Sequence, residues 1–266
     1  MKSDHASNSL LPMNPLQRAL IEKTGHDNGF EYVLLGDALH AVLASARHPA
    51  QVRVGLVEQG FDVCFDNGAA TLENELARTF AENYAGLAAF VLPSEATLAR
   101  FLRRAASLSQ ALPNQAVAGF EQQVESALAE LPPAAAHNTE VLRMVRQRVG
   151  QQAYRQAMLN YWGGACAVTG LALPQALRAS HAKPWADCET DAERLDVFNG
   201  FLLSANLDAL FDQFLISFDA TGAILISEAL DSGTQTLLGI SPTMRLRWVA
   251  EAHRPYLAHH RERAFG

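Results

Sequence analysis

The chain has 266 residues, 49% of them hydrophobic and 18% charged, with a formal net charge of −7. This is the composition of a folded protein long enough for one or two cores, and its acidic balance argues against a protein that coats nucleic acid indiscriminately. No apolar run reaches the roughly eighteen residues a membrane span needs, and the opening MKSDHASNSLLPMNPLQ lacks the apolar centre of a secretory signal. In chain order, residues 1–10 read as a loose tail. Leu16, Leu20 and Ile21 then suggest a helix to about Lys23, stopped by Gly25, and a second helix runs from Glu31 to Arg47. Val52, Val54 and Leu56 alternate with smaller or polar residues, as do Phe61, Val63 and Phe65, which makes a hairpin. Asn67-Gly68 marks a turn, and a helix follows from Thr71 through Phe80. Gly86 to Leu92 is a strand or a buried helix end. Ser94 caps a helix to about Leu108, and another runs from Pro113 to Leu131.

Pro132-Pro133 and the alanines after it punctuate the chain, which suggests a small mixed α/β domain at 1–136 and a second domain at 137–266. The excess acid is in front: nine Lys/Arg against fifteen Asp/Glu over 1–136, twelve against thirteen over 137–266. In the first part, His26, His40 and His48 stand at no ligand spacing, with His40 on a predicted helix. Arg100, Arg103 and Arg104 form a small cluster, either a solvated helix face or a place for phosphates.

The second part opens with Thr139 as a helix cap and an apolar helical pattern up to Tyr161, interrupted at Gly150, so that a bend or two helices are expected. Arg143, Arg146, Arg148 and Arg155 follow one another without an intervening acid, and Arg178 and Lys183 extend this basic stretch. Cys166 to Gly170 reads as a short strand entering a turn, and Leu177 to His181 as a second strand. Asp208 and Asp212, four apart on a predicted helix, put two carboxylates on one face, suited to a hard cation. An imidazole at His181 opposite them would serve as a general base. Phe214 to Phe218 and Ala223 to Ile226 form a hairpin, Met244 to Val249 a strand, and Arg254 to Ala264 a helix with Pro255 in its first turn. On that helix His259 and His260 read as a basic exposed patch.

Three blocks stand in order here: Ser180-His181-Ala182-Lys183-Pro184-Trp185, Asn199-Gly200-Phe201-Leu202-Leu203, and Leu207-Asp208-Ala209-Leu210-Phe211-Asp212 with Ile216-Ser217-Phe218. Together they resemble the HNH endonucleases with a ββα-metal core, over about Arg148 to Ala229. The lead-in Arg148, Gln151, Gln152, Tyr154 and Arg155 is similar to the family's Arg-rich helix, with Tyr where Phe is usual. The resemblance implies an α+β fold in which a C-terminal ββα-metal core, at 163–219, with flanking helices and strands, follows the small mixed α/β domain. It places His181 as the base that activates water and Asn199 as the residue that orders the loop around it. Asp208 becomes a metal ligand, with Asp212 and Ser180 as further candidates; many relatives carry Asp or His where Ser180 stands. Oxygen ligands favour Mg²⁺ or Mn²⁺ over zinc. Arg143, Arg146, Arg148, Arg155, Arg178 and Lys183 would hold the DNA backbone.

The implied activity is metal-dependent hydrolysis of double-stranded DNA in restriction or defence, with no membrane partner. The front domain would choose the target, restrain the cut, form a homodimer or bind a protein. Two other readings stay open: a catalytically weak DNA-binding or regulatory module on the same scaffold, and a toxin or protein-interaction protein. Cys64, Cys166 and Cys188, odd in number and far apart, form neither a disulfide framework nor a CxxC zinc pair, and favour a reducing cytoplasm.

Overall fold

The computed structural model describes residues 9–66, 70–86, 89–132 and 138–266, and the chain gathers into two units, Met1–Gln110 and Ala111–Gly266. The first unit begins with α1 (Pro15–Asp27). Asn14 and Gln17 cap it reciprocally: each side-chain oxygen accepts from the other's backbone N–H at 2.9 Å, which satisfies two helix-end donors. The helix runs through Gly25 rather than stopping there. After it come β1 (Tyr32–Leu34), β2 (His40–Ala44), β3 (Val52–Val57), β4 (Gly60–Phe65), α2 (Ala70–Thr79), a 3-10 turn at Ala81–Asn83, β5 (Tyr84–Gly86), β6 (Ala89–Leu92) and α3 (Glu95–Ala111). The strands form one sheet in the order β1-β2-β3-β4-β6-β5, each neighbouring pair antiparallel. Leu98, Phe101 and Leu102 of α3 are buried, and the Phe101 ring lies 4.8 to 6.1 Å from those of Phe90, Phe80 and Phe65.

The expected helix from Glu31 to Arg47 is instead the pair β1–β2, which moves His40 onto a strand. The Asp37 carboxylate accepts from the backbone N–H groups of Leu39 and His40 at 2.8 and 2.7 Å, a local turn that competes with helical bonding. The tail over residues 1–8, the Asn67-Gly68 turn and the punctuation at 133–136 lie outside the described residues.

The second unit comprises α4 (Pro113–Ala129), α5 (Thr139–Trp162), a 3-10 turn at Pro174–Ala176, β7 (Leu177–His181), α6 (Asp191–Leu195), β8 (Gly200–Ser204), α7 (Ala205–Asp212), β9 (Ile216–Phe218), β10 (Ile224–Ile226), α8 (Ser232–Leu237), a 3-10 turn at Glu251–His253 and α9 (Arg254–Phe265). The division between units falls earlier than the proline punctuation because α4 packs on α5 and α6. Phe120 of α4 is fully buried and carries the Arg146 guanidinium 4.9 Å over its ring.

α5 is one helix, not two. Asn138 rather than Thr139 caps it, accepting from Glu140 and Val141 N–H, and Gly163 closes it in the left-handed region at φ 66°. Gly150 lies within it; a Cβ there would lie 2.4 Å from the Trp185 ring, so the glycine admits that indole against the helix.

β7 and β8 pair antiparallel, with His181 opposite Gly200 and Leu177 opposite Ser204, and α7 follows β8 at once. Cys166 to Gly170 is a turn rather than a strand: the Cys166 sulfur accepts from Val168 and Thr169 N–H, which curls the backbone, and Ala167 N–H bonds to Leu202 of β8. Met244 to Val249 contributes only an isolated bridge, Arg245 with Ala223. Behind the hairpin, His253 is fully buried among Tyr161, Trp162, Phe198 and Phe201, stacked on Phe201 at 5.4 Å. The three cysteines are free thiols. Among the described residues no helix is long and apolar enough to cross a membrane.

Candidate active site

Because side chains alternate along a strand, Ser180 and His181 leave β7 on opposite faces. His181 lines a cleft of about 550 Å³ with Trp185, Asp212, Phe214, His260 and Arg263. Its ring stacks on Tyr154 of α5, centroids 3.9 Å apart, and meets Trp185 edge-on at 5.8 Å. Nε2 lies 2.9 Å from the Arg194 carbonyl oxygen at the end of α6. A carbonyl only accepts, so Nε2 carries the proton and Nδ1 keeps the lone pair. Nδ1 has no hydrogen-bond partner among the described residues. Burial lowers the ring's pKa from 6.5 to about 4, against the small upward pull of that carbonyl, so the imidazole is neutral at pH 7.

Asn199 is fully buried and orders the loop between the strands. Its oxygen accepts from Lys183 N–H at 2.7 Å, and its amide donates to the carbonyls of Lys183 and Glu193 and to the Cys188 sulfur. Every bond serves the chain between β7 and β8, which also carries Arg194. The residue therefore orders the loop whose Arg194 carbonyl meets His181. The Tyr154 hydroxyl donates to the Asn199 carbonyl at 2.9 Å, which locks the stacked ring to the strand end.

On the other face, the Ser180 hydroxyl donates to Asp208 Oδ1 across β7 and α7. The fold has thus joined two positions 28 residues apart that the sequence marked as metal candidates. Asp212, one turn on, is exposed at the cleft edge, and its carboxyl is pushed up to about 6 by partial desolvation and by the Asp208 charge. Among the described residues no group of three or more His, Cys, Asp or Glu side chains could hold a metal ion. A hydroxyl and one or two carboxylates do fit a hydrated Mg²⁺ or Mn²⁺, which keeps several waters and takes further oxygens from a bound phosphate. They do not fit zinc, which prefers nitrogen and sulfur.

The six basic residues meet different fates. Arg146 is paired with Glu121 and Asp191, Lys183 with Glu193, and Arg143 with Glu140. Arg155 donates to the carbonyls of Leu177 and Pro174, and Arg178 to those of Gln175 and Leu177, and neither makes an ion pair among the described residues. Arg148 is exposed and has no ion pair among the described residues. Arg143, Arg146 and Arg194 line a second recess, which shares Trp185 and Ala186 with the His181 cleft.

Sequence reasoning missed Arg194 and Arg263. The first supplies the carbonyl that sets the His181 tautomer, and the second reaches the cleft from α9, paired with Asp187. No local pattern connects Arg263 to residues about eighty positions earlier. His259 and His260 are not an exposed patch: His260 is 1% exposed, stacked on Phe211 at 3.8 Å, donating from Nε2 to the Phe211 carbonyl and accepting the Ser217 hydroxyl at Nδ1.

Residues 166–219 match the HNH_2 family, described as HNH endonuclease, and this range spans the Cys166 turn, β7, β8 and α7. No curated protein matches the chain.

Proposed function

From the HNH endonuclease domain at residues 166–219, we propose that the chain is a divalent-metal-dependent endonuclease that hydrolyses phosphodiester bonds of double-stranded DNA, in restriction or defence within a reducing cytoplasm. The observation that carries this reading is the state of His181: a neutral ring in a cleft, its Nε2–H committed to a backbone carbonyl, its Nδ1 lone pair available. Nδ1 takes a proton from water as the water oxygen attacks phosphorus; the P–O3′ bond breaks and the departing O3′ takes a proton from solvent water, leaving a 5′-phosphate and a 3′-hydroxyl. A base with so low a pKa is weak, but a phosphate anion entering the cleft favours the protonated ring and so strengthens it as the reaction proceeds. Asp212, which lines the His181 cleft, would hold Mg²⁺ or Mn²⁺ on the side of the base, with Asp208 contributing from the preceding turn of α7 and Ser180 from β7. When bound, the ion offsets charge on the scissile phosphate and the leaving oxygen. Arg263, at the cleft, and Arg148, Arg155 and Arg178 around β7 and α5 bind the backbone on either side.

A second reading, a DNA-binding module that cuts poorly, is favoured by one observation: Ser180 spends its hydroxyl on Asp208, so the metal positions are satisfied by each other. Incubating the full chain with unmodified, methylated and hydroxymethylated duplexes, in Mg²⁺ and in Mn²⁺, separates the two. Cleavage that falls about 10²-fold or more in His181→Ala while DNA affinity stays near the parent's supports the nuclease. Binding without cleavage in either metal favours the module.

A further inference from the structure

The first unit holds a cavity that the nuclease reading leaves unused. Arg78 in the last turn of α2, Glu82 and Asn83 in the following 3-10 turn, and Arg100 and Arg104 on α3 surround about 510 Å³. We propose that this cavity is a phosphate-binding site, taking the phosphate oxygens either of a nucleic-acid backbone or of a small phosphorylated compound.

Arg100 and Arg104 stand four apart on one helix, so they share a face. Arg78 faces the same space from a different helix. Its guanidinium is tied to Glu75, a carboxylate only 3% exposed, which fixes the arginine in place with donors to spare. Asn83 is likewise preset, donating to the Val91 carbonyl at 3.1 Å. Arg100 is exposed and makes no ion pair among the described residues. Three guanidinium forks converging on one space match a multivalent oxyanion better than a single carboxylate. The setting sharpens the point, because residues 1–136 carry fifteen acids against nine bases, and such a surface has little general attraction for anions. Glu82 opposes the arginines and so gives the site a handle of opposite sign.

The proposal is independent of His181 and of cleavage. Titration calorimetry of the full chain with inorganic pyrophosphate tests it. Arg100→Glu should weaken binding about tenfold or more, Arg104→Gln should weaken it less, and Glu82→Gln should tighten it. Lys23→Ala, an exposed charge loss elsewhere in the unit, should change nothing. A second arm measures affinity for a short duplex against salt. A slope lowered by about 1–2 in Arg100→Glu assigns the site to a DNA backbone, and an unchanged slope with lost pyrophosphate binding assigns it to a small phosphorylated ligand. Arg100→Glu and Arg104→Gln that both keep the parent's pyrophosphate affinity and salt slope overturn the proposal.

Discussion

The chemistry of the second unit depends on how few groups remain uncommitted. His181 and His260 both donate Nε2–H to a carbonyl and both are held neutral by burial, with pKa values lowered to about 4. In the unfolded chain each ring takes a proton near 6.5, so between that value and about 4 the unfolded state binds more protons, and stability rises with pH. Asp212, raised to about 6 from 3.8, acts in the opposite sense over the lower part of that window, but with one proton against two. Denaturant midpoints measured in EDTA should therefore fall as the pH is lowered from 6.5 to 4.5, and fall less in His260→Gln. A flat parent profile would show that the rings are not held neutral. Ser180 offers a sharper test of the metal positions. Ser180→Asp removes the hydroxyl donated to Asp208 and sets two carboxylates together, at an expected cost of about 1–3 kcal/mol without a cation. Mg²⁺ or Mn²⁺ should restore the thermal midpoint of this variant far more than it shifts the parent's. Equal shifts in both proteins would remove Ser180 from the metal site.

The β7–β8–α7 unit depends on one close approach. Gly200 sits at φ 152° opposite His181, and a Cβ there would lie 1.9 Å from the Ser180 carbonyl oxygen and 2.4 Å from the Tyr154 hydroxyl. Gly200→Ala must therefore push apart the two strands or expel the tyrosine, and should destabilise the second unit by about 2–4 kcal/mol in equilibrium unfolding. Tyr154→Phe is the milder probe. The Asn199 carbonyl still receives Ala182 N–H at 3.2 Å, so losing the hydroxyl should cost only about 1 kcal/mol. An equal cost for the two variants would mean that the approach at Gly200 is slack. The same element shows what could be read in advance. The Ser180-His181, Asn199-Gly200 and Asp208 blocks stood out through their ordered resemblance to a known family, and the fold brings Ser180 and Asp208 together. Cys166 to Gly170 was misread because its apolar alternation, Cys-Ala-Val, is also what a sulfur-capped turn carries. Glu31 to Arg47 was misread because helical spacing of apolar residues outweighed Gly36-Asp37, whose carboxylate bonding to Leu39 and His40 appears only in three dimensions. α6 was invisible as a periodic pattern at five residues, yet it supplies the Arg194 carbonyl. Charge was the least transferable signal: in a run of arginines without acids between them, Arg146 still paired with Glu121 and Asp191 from other stretches and Arg143 with Glu140 one turn before it.

At the scale of the whole chain, the two units make a divided protein in which the second carries the stretch that matches the HNH endonuclease family and the first carries its own sheet and its own arginine-lined cavity. Where the chain can be divided is a physical question about α4. Phe120 is fully buried and Val124 nearly so, and Arg146 of α5 lies over the Phe120 ring while pairing with Glu121. A cut at the proline punctuation, leaving 137–266, would strip this helix from α5. Phe120 also lies 3.4 Å from where a Cβ on Gly150 would stand, beside the Trp185 ring that borders the cleft, so the damage would reach the candidate site. Removing one large and one medium apolar side chain from this contact should cost about 3–5 kcal/mol, a large part of the stability of a domain this size. The fragment 111–266 should therefore unfold cooperatively and, if the proposed function holds, bind duplex DNA and keep the full chain's His181-dependent activity. The fragment 137–266 should melt earlier, bind dyes that report exposed apolar surface and lose activity at temperatures where the longer fragment keeps it. If 137–266 matches 111–266 in midpoint and rate, α4 is an appendage and the boundary belongs at the prolines.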